Sequence, residues 1–94
     1  MQYKYLFDEQ KNIRLKEERD VCFEDVITAI YDGKILDIIP HHNKEAYPNQ
    51  MIMVIEINDY VYLVPYLEKE DLLVLKTVFP SRKFTKLYLG GGKL

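Results

Sequence analysis

The chain has 94 residues, is 48% apolar, carries a formal charge of −2 and holds a single cysteine. That length suits one domain, and no apolar run approaches the roughly 20 residues of a membrane-spanning helix. The start, Met1-Gln2-Tyr3-Lys4-Tyr5, lacks the apolar core of a secretory signal, and the lone Cys22 allows no internal disulfide; together these point to a reducing cytoplasm.

Residues 2–7 read as a short strand. Asp8 stands where a helix cap accepts backbone N–H bonds. The charged stretch 9–19, with Ile13 and Leu15 as its apolar residues, reads as a largely exposed helix. Asp20 ends it, because aspartate tolerates the left-handed conformation better than most residues. Phe23, Val26, Ile27, Ile30 and Tyr31 recur at i, i+3, i+4, i+7 and i+8, the stripe of an amphipathic helix. Glu24 and Asp25 suit its first turn, Asp32-Gly33 suits its end, and Cys22 occupies the cap site where Ser or Thr would be stronger.

Residues 34–39 form the next expected strand, stopped by Pro40, and 40–50 form a loop. Strands are expected at 51–57, 60–67 and 72–79, the first two joined by the tight turn Asn58-Asp59. The strand at 60–67 is apolar or aromatic on both sides and belongs at the centre of this meander. Pro65 within it cannot donate to a ladder, so a bulge or an unpaired position is expected there. Pro80 ends the last strand, and 81–88 reads as a short helix. Residues 90–94 read as a flexible tail of the kind a cloning vector leaves. The fold class is therefore α+β, with one domain over 1–89. It has a short N-terminal strand, two helices, a three-stranded antiparallel meander with further short strands, and a short C-terminal helix. The helices are expected on one face of the sheet, with the other face open.

Charge is unevenly distributed. Residues 1–75 hold 8 Lys+Arg against 15 Asp+Glu, or 8 − 15 = −7. Residues 76–94 hold Lys76, Arg82, Lys83, Lys86 and Lys93 and no acid, or +5, and +4 without the tail. Local potential governs attraction of a polyanion more than net charge does, so the basic end is expected to meet RNA; an acidic protein partner is the alternative.

Three constellations could carry chemistry. His41 and His42 are adjacent in a loop, where neighbours point to opposite sides, which argues against a two-histidine metal site. Either could instead be a proton carrier, since histidine titrates near neutral pH; two plain loop histidines are the alternative. Lys76 is expected inside the last strand, on the face of Val74 and Val78, either paired with Glu56 or facing an open surface. Arg82 and Lys83 follow at the strand exit, where an arginine fork suits phosphate and fixed cations stabilise a phosphodiester transition state. The competing reading is a cross-strand ion pair plus solvated cations. Tyr60, Tyr62 and Tyr66 share one strand face and either stack unpaired bases or pack into the core. Tyr88 lies near the basic segment.

Phe7-Asp8-Glu9-Gln10-Lys11, followed by Glu18-Arg19-Asp20-Val21-Cys22-Phe23-Glu24-Asp25-Val26, resembles the N-terminal pattern of BrnT-type toxins, an aromatic-Asp-x-x-Lys element and then a Gly-Val-Ser-Phe-Glu-Glu-like turn. Lys76-Thr77-Val78-Phe79-Pro80-Ser81-Arg82-Lys83-Phe84-Thr85-Lys86 is similar to that family's strand-then-Arg-Lys-Ala-Thr ending. The likeness spans residues 5–88, with Asp20 in place of the family's glycine and Cys22 in place of its serine. A family of unknown function shares the Glu-Arg-x-x-x-x-Glu-x-Val stretch. The resemblance implies a RelE-like ribonuclease fold and the toxin of a type II toxin–antitoxin system, a metal-independent endoribonuclease that needs no cofactor. It also implies a cognate antitoxin with a ribbon-helix-helix domain, through which alone DNA would be met. On that basis Arg82, Lys83, Lys76, His41 and His42 are the expected catalytic residues, and Lys11, Lys86 and Tyr88 the expected RNA contacts. A non-catalytic module that grips an acidic partner or RNA stands as the alternative.

Overall fold

The computed structural model describes residues 4–90, so residues 2–3 of the first expected strand and most of the 90–94 tail lie outside it. The first strand, β1, is Lys4–Leu6. Asp8 then caps α1 (Glu9–Arg19), its Oδ1 accepting the N–H groups of Gln10 and Lys11 at 2.8 and 3.3 Å. Asp20 closes α1 at φ 56°, ψ 32°, the left-handed conformation expected of it.

The second helix, α2 (Phe23–Tyr31), starts on borrowed chemistry. Phe23 N–H donates to Oδ1 of the buried Asn12 at 2.7 Å, and Asn12 Nδ2 donates to Glu24 Oε1 at 2.8 Å. Asp25 accepts the Cys22 N–H at 3.0 Å. A side chain from the start of α1 thus satisfies the first open N–H of α2, and α1 and α2 are fixed to each other at that point. Gly33 comes after α2 at φ +73°, where a side chain would be strained.

The rest of the chain builds the sheet. Its strands are β2 (Ile35–Pro40), β3 (Gln50–Ile57), β4 (Tyr60–Lys69), β5 (Leu72–Leu75) and β6 (Phe79–Pro80), and α3 (Arg82–Leu89) comes last. Asn58 and Asp59 both take positive φ in the β3–β4 turn, as a two-residue hairpin requires. The strand order is β1-β5-β4-β3-β2, with β6 also pairing with β4. The β2–β3–β4–β5 run is antiparallel, whereas β1 joins β5 in parallel, which makes the sheet mixed.

Two expectations need correction. The strand expected at 72–79 is two strands. Tyr66 faces Leu75 and Leu63 faces Phe79, so residues 64–65 of β4 stand opposite 76–78 of the returning chain. The extra residue falls beside Pro65, whose missing N–H leaves a gap in the ladder. Lys76 therefore lies in the break, not in a strand, with its N–H on Pro65 O at 2.9 Å. An inserted residue also switches the face of every residue after it. Val78 is fully buried with Leu73 and Leu75, while Val74 points the other way and is half-buried.

Helices also cover both faces of the sheet, not one. Beneath α1 and α2 lies the larger core, with Phe23, Val26, Met53, Ile55, Val64, Leu75 and Val78. On the opposite face α3 covers Ile52, Val54, Val61 and Leu63 through Phe84, Tyr88 and Leu89. The fully buried Thr85 anchors it: Oγ1 accepts the Val61 N–H at 2.9 Å and donates to Ser81 O at 2.7 Å. The side chain of Thr85 thus serves a β4 donor just beyond the β6 pairing.

Of the two readings of the tyrosine stripe, core packing is the one that Tyr62 and Tyr66 follow. Tyr66 is buried in the larger core and Tyr62 packs against it, edge-on to Tyr60 at 6.0 Å.

Candidate nucleic-acid interface

Because α3 covers only part of its face, a groove of about 540 Å³ remains beside it. Pro65 and Gln50 form part of its wall, with Phe79 and Thr77 on the returning chain. Into it come Lys11 from the first turn of α1, His41, His42 and Tyr47 from the β2–β3 loop, and Lys76 from the strand break. No acid lines it. The break that upset the strand expectation is what places Lys76 here, at a position facing Pro65. Glu56, one of the two alternatives for its surroundings, borders a separate hollow with Lys34.

The two histidines are not equivalent. His41 is buried, its ring 4.6 Å from those of both His42 and Tyr47. Its Nδ1 accepts the Asn43 N–H at 3.0 Å, which assigns the proton of the neutral ring to Nε2. Burial, and then the charge of His42, hold its pKa below the usual 6.5. His42 is exposed and makes no hydrogen bond among the described residues. His41 thus braces the loop, and His42 is the imidazole open to solvent.

The remaining expected site residues lie elsewhere. Arg82, Lys83 and Lys86 stand exposed on α3, and none lines the groove. Lys83 Nζ lies 6.0 Å from the centre of the Phe84 ring. Tyr88 packs under α3 and donates its hydroxyl to Asp37 Oδ2 at 2.7 Å, a bond that raises its pKa. It staples α3 to β2.

Sequence reading missed Tyr47, which lies five residues beyond His42, and Arg14, one helical turn beyond Lys11. A smaller cavity of about 170 Å³ adjoins the groove, sharing Lys11 and Thr77 with it and lined also by Arg14, Leu15, Glu18 and Arg19. Arg19 is committed to structure, donating to Val78 O at 2.6 Å. Spacing alone could have flagged Arg14, since i and i+3 share a helix side.

No protein-family description matches the chain, and no curated protein or solved structure matches it either.

Proposed function

We propose that the chain is the toxin of a type II toxin–antitoxin pair, a cytoplasmic, metal-independent endoribonuclease that works in this groove. The observation that carries the reading is the convergence of Lys11, Lys76, His41 and His42 in one acid-free groove. Cations gathered around one groove concentrate field on a phosphate more than dispersed surface lysines do.

In the proposed reaction a ribose 2′ oxygen bonds to the adjacent phosphorus as the bond from phosphorus to the 5′ oxygen breaks. The 2′-hydroxyl proton passes to the imidazole of His42. The leaving 5′ oxygen takes a proton from an ammonium group, Lys76 or Lys11, while the other holds the non-bridging oxygens. The products are a 2′,3′-cyclic phosphate and a 5′-hydroxyl. His41 and Tyr47 position His42. Arg82, Lys83 and Lys86 act as outer phosphate contacts.

The test is purified protein with single-stranded RNA in EDTA. Cyclic-phosphate ends that vanish in His42→Ala and Lys76→Ala support the reading. RNA that stays intact while bound would leave the module alternative standing in its place.

A further inference from the structure

The groove does not end at Lys11. The smaller cavity continues from it along α1, with Lys11 and Thr77 common to both. Lys11 and Arg14 succeed one another on the side of α1 that borders the two cavities, three residues and about 4.5 Å of helix rise apart. Two like charges this close weaken a helix slightly. Arg14 is exposed, and no ion pair holds it among the described residues. Arg19 is occupied by Val78 O, which leaves Arg14, beside the shared Lys11, as the cation that this cavity adds to the groove, opposed by one acid, Glu18. The other flank of α1 is different: Lys16 there pairs with Asp20 at 3.4 Å and borders a separate hollow with Ile13 and Cys22.

We infer that Arg14 forms a second phosphate subsite, so that a single-stranded RNA runs as a chain from His42 and Lys76, past Lys11, onto α1. The inference rests on the groove being an RNA site and adds a direction and a minimum length to it. A ligand with one phosphate would fill the groove alone; a longer strand would reach Arg14. An arginine suits such a position through its planar fork.

The experiment is fluorescence anisotropy of a labelled single-stranded 2′-O-methyl oligoribonucleotide, which lacks the attacking hydroxyl and stays intact, against salt, with the full chain. Each phosphate contact to a single strand contributes roughly 0.7 to the slope of log K against log salt, equivalent to about five-fold in affinity at 0.1 M. Arg14→Gln should weaken binding about five-fold and make the slope shallower by about 0.7. Arg14→Lys should recover most of the loss, and Glu18→Gln should tighten binding. Lys16→Gln, on the opposite flank of α1, should do much less than Arg14→Gln. Equal losses in Arg14→Gln and Lys16→Gln would mean diffuse attraction and overturn the subsite, as would an affinity and slope unmoved by Arg14→Gln. A wild-type chain that binds this probe but leaves unmodified RNA uncut would remove the nuclease reading and leave the subsite intact. A wild-type chain that binds no RNA would remove both.

Discussion

Arg82, Lys83 and Lys86 are neighbours in the chain and stand exposed along α3 beside Leu87, which is 66% exposed. Lys11, Lys76, His41 and His42 come from three separate segments and line one groove. The first group is the more conspicuous in a sequence, yet its side chains extend into water, where salt screens them within roughly 10 Å at 0.1 M. In the second group Lys11 is half-buried, and the exposed Lys76 and His42 border a wall containing a buried proline and a buried, stacked imidazole. Focused charge of that kind is what a polyanion site needs. A run of basic residues therefore marks attraction, while the groove marks where an attracted phosphate would be held.

The largest expected effect separates the two groups directly. Lys76→Ala should lower RNA cleavage about 10²–10³-fold. The Arg82→Ala, Lys83→Ala double variant should lower it by only a few-fold per contact, chiefly through KM. Growth arrest on induction gives the cellular readout. A double variant that loses more activity than Lys76→Ala would reverse the comparison and move the chemistry to α3.

Next in size is the attachment of α3. Thr85→Val keeps the shape but removes the acceptor of the buried Val61 N–H, at a cost of roughly 1–3 kcal/mol in urea unfolding. RNA binding by the groove should survive under native conditions, because Thr85 does not line it. If binding disappears while the folded core persists, the two regions are one site.

The smallest effect is a pH dependence. His41 binds its proton less readily in the folded chain than in the unfolded one, through burial and then the charge of His42. Its contribution to stability is therefore complete above the unfolded value of about 6.5 and is lost as pH falls through the lower folded value. Thermal melting should show that loss in the wild type and a shallower one in His41→Gln. In His42→Gln, with the second cause removed, the His41 resonance should titrate at higher pH. Equal acid slopes in the wild type and His41→Gln would show that burial does not hold the His41 proton affinity down.

Much of the frame was legible in local pattern. Asp8 marked the start of α1, the stripe at Phe23, Val26, Ile27, Ile30 and Tyr31 marked α2, and Asn58-Asp59 marked the hairpin, because each is decided within a few residues. Pro65 announced an interruption, though not its consequence. One inserted residue opposite Pro65 sent Val78 to the larger core and left Lys76 at the groove, and a pattern of period two carries no sign of that. Asn12 was read only as part of a polar helix, yet it caps α2, because the distance that matters between Asn12 and Phe23 is spatial.

By itself, then, the sequence determined an α+β layout, most of its elements in order, and an excess of positive charge at the C-terminal end. Tertiary structure alone decided which cations meet. Lys11, the histidine loop and Lys76 converge because the antiparallel β2–β3–β4 run and the interruption opposite Pro65 leave a groove where these segments meet. Local propensity acts over a few residues, whereas a site is closed by contacts between segments far apart in the chain.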